Sequence, residues 1–426
     1  MKATIEPGII SGNISAPPSK SMTQRVYAGA LIHKGSTIIH SAGNSEDELA
    51  ALDIIQQLGA KVIADSGGFI EIESNGVIPV SDTINCGESG LAARLFIPIA
   101  ALSNTPITIT GTGSLLNRPM GLYAGLLPEL NVTISNTGGH LPVHIKGPLN
   151  PVDIAIDGSD SSQFLSGILF AFCYAQPQPL ITIKVHELKS KPYIDMTLDV
   201  LKKFGHSVSH NDYTEFYLHS ASQEIDDKVI DITIDGDWSS AAFFLVAGAI
   251  AGGVVVSGLT DNQLQADSAL LAVLKEVGAE VSVTDNIVTV RKDRLFAFEF
   301  DATDCPDLFP VLAILAACCK GESYIKGVHR LFSKESNRAE SISEMLENFG
   351  VSFSLEDDSF VITGGRQLRG TVIDSYHDHR IAMAASIGAL KANGPVDILG
   401  AEAVSKSYPE FFKTLAVCGG KCNFID

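Results

Sequence analysis

Apolar stretches along the chain end repeatedly in one short phrase: a large apolar residue, Gly, a small residue, any residue, then Val or a near equivalent. It occurs at Leu58-Gly59-Ala60-Lys61-Val62, Phe204-Gly205-His206-Ser207-Val208, Val277-Gly278-Ala279-Glu280-Val281, Phe349-Gly350-Val351-Ser352-Phe353 and Cys418-Gly419-Gly420-Lys421-Cys422. A degenerate copy, Leu130-Asn131-Val132-Thr133-Ile134, has Asn where the others have Gly. Gly and Asn are the residues best suited to the left-handed conformation that ends a helix, so each phrase predicts a helix stopping and a strand beginning. The intervals from Gly59 through Asn131, Gly205, Gly278 and Gly350 to Gly419 are 72, 74, 73, 72 and 69 residues. A second series runs in phase. Apolar helices are predicted to begin near Ser21, Gly90, Ser162, Ser240, Asp307 and His379, at intervals of 69, 72, 78, 67 and 72. Each leads into a β-rich segment such as Ser36-Thr37-Ile38-Ile39 or Pro106-Ile107-Thr108-Ile109-Thr110. Two series in register predict six copies of a ~70-residue unit with two helices and several short strands. Six such units fit two domains of three, with a seam near residues 230–236.

Trp238 to Thr260 carries no charge for 23 residues, long enough to span a bilayer. Gly252-Gly253 divides it, so a buried helix followed by a buried strand is the reading that fits. Over the 426 residues, 45% are hydrophobic and 19% charged, which excludes a disordered chain. Thirty basic against 49 acidic side chains leave −19, which argues against nucleic-acid or membrane-surface binding. Seven cysteines without a C-x-x-C pair read as reduced thiols. The first residues, MKATIEPGIISG, lack the apolar run of a signal peptide, and a cytoplasmic location is expected.

The starts of the twelve predicted helices carry the chemistry. Ser45, Asp47, Ser239 and Asp267 read as ordinary N-caps. The cations do not fit that pattern. A helix N-terminus carries about half a positive charge, so a cation there is unfavourable by up to ~1 kcal/mol. Lys20, Arg25, Arg94, Arg118, Lys191, Lys334, Arg338, Arg380 and Lys406 all fall at such positions. If these ends converge, their amides and cations form an anion site. A phosphomonoester brings about −1.5 to −2, so two phosphorylated carboxylic acids match a cluster of this size. No phosphate-binding G-x-x-x-x-G-K-[ST] loop, dinucleotide fingerprint or G-x-S-x-G elbow is present. His377-Asp378-His379 has no third metal ligand at suitable spacing. Acid–base chemistry between bound anions, without cofactor or metal, is the expectation.

At these residues the chain resembles the 5-enolpyruvylshikimate-3-phosphate (EPSP) synthase family, the 3-phosphoshikimate 1-carboxyvinyltransferases, over essentially its whole length. The resemblance rests on Pro18-Ser19-Lys20-Ser21 through Arg25, Gly87 through Arg94, Asn117-Arg118-Pro119, Ser161-Ser162-Gln163-Phe164 and Ser190-Lys191-Pro192-Tyr193-Ile194-Asp195. Pro306-Asp307, Lys334-Glu335 with Arg338, Asp378-His379-Arg380 and Ser405-Lys406 complete it. It implies an α/β fold of two similar domains, each of three βαβαββ units in an inside-out barrel, closing around the substrates. The expected domains are 19–233, and 1–18 with 234–426. It implies transfer of the enolpyruvyl group of phosphoenolpyruvate to the 5-hydroxyl of shikimate-3-phosphate, releasing phosphate, in the shikimate pathway to chorismate and the aromatic amino acids. Carried over, Lys20, Ser21, Arg25, Ser161, Ser162, Gln163, Ser190, Tyr193, Asp307 and Lys334 would hold shikimate-3-phosphate. Lys20, Gly90, Arg118, Gln163, Arg338, Arg380 and Lys406 would hold phosphoenolpyruvate. Asp307 is the expected base and Glu335 the expected acid, with Lys20 sharing proton transfer. A monomer is expected.

The chain departs from the family where Gly87-Glu88-Ser89-Gly90-Leu91 replaces Gly-Asn-Ala-Gly-Thr, which puts a carboxylate and a larger apolar group beside the phosphoenolpyruvate pocket, where glyphosate acts in this family. Arg330 stands where many members have Asn, and Asn337 replaces a frequent Asp. Arg94 and Lys191 read equally well as structural partners of nearby carboxylates. Two rival readings are a sister enzyme that transfers enolpyruvyl to UDP-N-acetylglucosamine and a non-enzymatic repeat clamp. Gly111–Asn117 lacks the reactive cysteine of the sister enzyme.

Overall fold

Gly59, Asn131, Gly205, Gly278, Gly350 and Gly419 all adopt left-handed backbone, with φ between +64° and +112°. The next amide along donates in each case to the carbonyl five residues earlier, at 2.9–3.0 Å, from Ala60 to Ile55 through Gly420 to Leu415. That bond closes a helix C-terminus and turns the chain into the following strand. The computed structural model of the chain describes residues 1–66, 68–175, 180–219, 228–260 and 264–425. They form two compact units, Pro18–Ile234 and Met1–Pro17 with Asp235–Asp426. Each unit has its own apolar core.

The Pro18–Ile234 unit contains helices α1 (Lys20–Ile32), α2 (Glu46–Gln57), α3 (Gly90–Ala100), α4 (Gly121–Glu129), α5 (Ser162–Tyr174) and α6 (Lys191–Lys203). Its three sheets are four-stranded and share one order. In one of them Thr83–Asn85 runs parallel to Ile107–Thr110. The latter pairs antiparallel with His140–Lys146, which pairs antiparallel with Thr133–Thr137. A parallel pair needs a crossover, and α3 supplies it. The repeat is therefore βαβαββ. In the first repeat the parallel edge strand, Ile230–Thr233 against Lys34–His40, comes from the far end of the unit.

The second unit holds α7 (Trp238–Ala251), α8 (Leu270–Glu276), α9 (Phe309–Cys318), α10 (Arg338–Phe349), α11 (His379–Ala389) and α12 (Phe411–Val417). Here the N-terminal segment completes two sheets. Lys2–Ile5 lies antiparallel between Val396–Leu399 and Cys422–Ile425, and Ile10–Ser15 lies parallel to Gly252–Ser257. The uncharged stretch resolves into α7 and the strand Gly252–Ser257, with all fourteen residues of α7 buried. No described helix is long and apolar enough to cross a membrane.

Within each unit one helix of every repeat is enclosed on all sides. These are α1, α3 and α5 in one unit and α7, α9 and α11 in the other, packed on one another. Their partners bury a single face, as α6 does through Ile194, Met196, Thr197, Val200 and Leu201. Strands such as His140–Lys146 alternate buried and exposed positions, so the sheets cover the helices and face solvent with their other side.

Candidate active site

In the Pro18–Ile234 unit the first turns of the enclosed helices are tied together by side chains. Ser19 and Ser89 cap α1 and α3 by accepting from the amides of Met22 and Ala92. The Ser89 hydroxyl donates to the Gln24 side chain, 3.1 Å away. Arg94, 5% exposed, donates to Gln163 Oε1 at 2.9 Å, joining α3 to α5. It also stacks on the Phe164 ring, 5.0 Å from the centroid. Arg25 is buried in α1, donating to Thr197 Oγ1 at 2.9 Å and to the Ser21 carbonyl at 2.8 Å, with Tyr193 under the guanidinium. Burial pulls it down to about 10, with Tyr193 opposing. Ser161 caps α5 by accepting from the Gln163 amide. Ser190 precedes α6 in left-handed backbone, φ +54°. Ser161, Ser162, Gln163, Ser190 and Tyr193 thus stand at the starts of α5 and α6.

Lys20 and Gly90 open α1 and α3. Lys20 Nζ pairs with Asp47 at 2.8 Å, both side chains largely buried. Gly90 lies directly beneath Arg118, and a Cβ there would collide with Nη1. Glycine therefore lets a guanidinium lie against the positive end of α3, a place suited to a shared anion.

In the other unit the ion pairs converge on Arg338, the first residue of α10 and fully buried. Its Nη1 donates to Asp307 at 2.6 Å, Nη2 to Glu335 at 2.5 Å and Nε to Asp378 at 2.7 Å. Arg380, in the first turn of α11, grips the other oxygen of Asp307 at 2.9 Å. The Nε and Nη1 donors of Arg380 are buried without a hydrogen-bond partner. Burial would raise the Asp307 carboxyl, but Arg380, Arg338 and Lys334 outweigh it and hold it far below the usual range. Burial lowers Lys334 to about 8; Asp307 opposes this, while Arg338 and Arg330 add to it. Lys406 Nζ donates to the His377 carbonyl at 2.7 Å.

Several positions differ from the sequence reading. Arg118, Lys334 and Lys406 do not sit on helix starts, and Arg25 and Arg94 lie in the second turns of α1 and α3. Arg118 ends the 3₁₀ turn Gly113–Asn117 in extended backbone, as Pro119 after it requires. Lys334 lies in the turn before α10, and Lys406 is the last residue of the 3₁₀ turn Ala401–Lys406, where a cation suits the terminus. Asp47 pairs with Lys20 and does not cap. Asp237 caps α7 by accepting from Ser240 at 2.6 Å, and Ser239 instead donates to Asp267. Burial, reinforced by Asp307, pushes Asp267 up to about 7, with Arg380 and the Ser239 hydroxyl opposing. Lys191 rests over the Tyr213 ring at 5.2 Å. Sequence reasoning passed over Asp378 and Asp47 as site residues, because their partners lie 40 and 27 positions away.

A sequence model described as EPSP synthase (3-phosphoshikimate 1-carboxyvinyltransferase) matches residues 5–415. The 3-phosphoshikimate 1-carboxyvinyltransferase of Clostridium novyi is 33% identical, covering 98% of this chain and 97% of its own. That of Methanocorpusculum labreanum is 35% identical over 98% and 99%. Among solved structures, EPSP synthase from Acinetobacter baumannii superposes with a TM-score of 0.83 at 27% identity, covering 99% of this chain and all of that one. The enolpyruvyl transferase NikO from Streptomyces tendae shares the fold, with a TM-score of 0.78 at 16% identity over 99% and 98%.

Proposed function

The chain belongs to the EPSP synthase family, the 3-phosphoshikimate 1-carboxyvinyltransferases, and on that premise we propose how its residues divide the reaction. The enolpyruvyl group of phosphoenolpyruvate passes to the 5-hydroxyl of shikimate-3-phosphate, and phosphate leaves. The hydroxyl oxygen bonds to the enol carbon while the methylene carbon takes a proton. The tetrahedral adduct then returns a methyl proton to the carboxylate that supplied one, assigned to Glu335, and expels phosphate, restoring the double bond.

One observation carries the assignment of the phosphoenolpyruvate site. Arg380 keeps two buried donors without hydrogen-bond partners, beside a second guanidinium that is already held by three carboxylates. Buried donors are normally satisfied, and a planar guanidinium matches a carboxylate or phosphate two bonds at a time. Lys20, Gly90, Arg118, Gln163, Arg338, Arg380 and Lys406 are assigned to phosphoenolpyruvate on the family resemblance. Lys20, Ser21, Arg25, Ser161, Ser162, Gln163, Ser190, Tyr193, Asp307 and Lys334 are assigned to shikimate-3-phosphate.

Asp307 and Glu335 lie on the two ends of one guanidinium. An anion that draws Arg338 and Arg380 away weakens both ion pairs, and each carboxyl then binds a proton more readily. Asp307 becomes a stronger base toward the 5-hydroxyl, and Glu335, aided by Lys20, becomes able to hold a proton for the methylene carbon. Ligand binding thus prepares the acid and the base in one event. Phosphate release from phosphoenolpyruvate, measured with shikimate-3-phosphate and separately with UDP-N-acetylglucosamine, tests the assignment. Release only with shikimate-3-phosphate is the expected result. Release with the nucleotide sugar alone would overturn it.

A further inference from the structure

Arg118 is carried by a short turn, and Glu88, one of the residues at which the chain departs from the common family pattern, helps to hold it. Gly113–Asn117 is a single 3₁₀ turn, and the Arg118 amide closes it by donating to the Leu115 carbonyl at 3.1 Å. One backbone bond, from Thr112 N–H to the Gly87 carbonyl at 2.7 Å, docks its entry to the loop that leads into α3. His140 Nδ1 meets the Arg118 carbonyl at 3.1 Å at the far end of the turn, and the next residue of the loop before α3 adds a tie at its start. The Glu88 carboxylate accepts from both the backbone amide and the hydroxyl of Ser114, at 3.1 and 3.2 Å. Gly113, at φ +54°, leaves room for it, since a Cβ there would collide with the carboxylate.

Glu88 lies two positions before Gly90, on which Arg118 rests, and Ser114 lies four positions before Arg118. The Glu88–Ser114 contact therefore closes a loop whose other closure is the Arg118–Gly90 contact. A carboxylate accepting two donors is a stronger tie than a neutral amide oxygen would be.

We propose that Glu88 is a positioning residue for phosphoenolpyruvate: it latches the Gly113–Asn117 turn to the start of α3 and so fixes the Arg118 guanidinium over Gly90. The inference rests on the assignment of Arg118 to phosphoenolpyruvate. Glu88 is not a catalytic residue, because it acts through Arg118.

The test has a kinetic and a substrate-free arm. Glu88→Ala should raise KM for phosphoenolpyruvate about tenfold, with kcat and KM for shikimate-3-phosphate changed by less than about threefold. Glu88→Gln keeps an acceptor oxygen without the charge and should recover part of that loss. In an Arg118→Ala background, Glu88→Ala should add nothing, since its effect passes through the missing group. Equal rises in both KM values, a Gln variant as impaired as the Ala variant, or additive effects with Arg118→Ala would each overturn the latch. In the substrate-free protein, Glu88→Ala should speed hydrogen exchange at the Ser114 amide at least tenfold, with the amides of α1 unchanged. Unchanged exchange at Ser114 overturns the latch whatever the kinetics show. Absence of turnover in the unmodified protein would instead refute the enzymatic assignment, and the exchange arm would still decide the latch.

Discussion

A carboxylate held between two guanidiniums is a weak base, and Asp307 stands in that position toward Arg338 and Arg380. General-base catalysis favours a group titrating near the working pH, so Asp307 gains strength only as the arginines turn to another anion. Asp307→Asn removes the proton-accepting oxygen while keeping the shape. It should retain shikimate-3-phosphate binding by calorimetry and lose about two to four decades of kcat; unchanged turnover would exclude the base role. Lys334 gives a pH signature. It titrates at about 8 in the free protein, so it is charged below that value and neutral above it. A bound phosphorylated anion favours the charged form and raises that pKa. Affinity for shikimate-3-phosphate should be flat between about pH 7 and 8, where the phosphate is largely dianionic, and fall up to about tenfold per unit above pH 8, with proton uptake on binding there. Lys334→Ala should flatten the alkaline limb in calorimetric titrations. Lys334 stood out in the sequence as a cation near a predicted helix start, where a dipole argument disfavours it, whereas the expected roles of Asp307 and Glu335 came from the family resemblance. Their state was not legible. Nothing local in Lys334-Glu335-Ser336-Asn337-Arg338 indicates that Asp378, forty positions on, holds Arg338, or that Lys20 leans on Asp47.

At the scale of helices and turns, the sequence was most informative where backbone conformation restricts the residue. Six left-handed termini were readable because only Gly and Asn take that conformation at little penalty. Short turns were read less well. The 3₁₀ turns before α4, α8, α9 and α12 displace the true helix starts beyond the residues that the periodicity suggested. A proline explains one such shift directly: Pro119 keeps Arg118 extended and so delays α4 to Gly121. Close approach of helices was also invisible. Gly167 in α5 lies against the Arg94 carbonyl of α3 and the Tyr123 ring hydroxyl, which itself donates to that same carbonyl. An added methyl has no space there. Gly167→Ala should cost about 1–3 kcal/mol through overpacking, despite the better helix propensity of Ala. Urea denaturation would measure it, and a stabilised variant would show that the helices can part without penalty. Because Arg94 also reaches Gln163 across the same contact, a lowered affinity for phosphoenolpyruvate should accompany the loss.

Over the whole molecule, six repeats of one topology are distributed over two units, and the chain order does not respect the boundary between them. The first seventeen residues belong with Asp235–Asp426. Their two strands are not ornaments of that unit. Lys2–Ile5 is an interior strand, bonded on both edges, and Ile10–Ser15 completes the sheet against Gly252–Ser257. Ile5, Ile10 and Ile14 enter the apolar core of the unit. At about 1.5–3 kcal/mol for each buried isoleucine, these three contribute roughly 5–9 kcal/mol. A domain is stable by only about 5–15 kcal/mol, so removal of the segment should unfold this unit or leave it marginal. The other unit has a separate core and contains none of these residues. The protein carries a built-in probe for the difference. Its single tryptophan, Trp238, is buried in α7, its indole N–H donating to the Thr260 carbonyl at 3.1 Å. Fluorescence therefore reports on the Asp235–Asp426 unit alone. A chain beginning at Pro18 should show a red-shifted, solvent-exposed tryptophan spectrum while amides of α1, α3 and α5 keep their exchange protection. Adding a peptide of residues 1–17 in excess should restore the spectrum, because the missing strands bind only the folded unit and stabilise it by mass action. A native spectrum in the truncated chain would show that the segment fills its two sheets without supporting them.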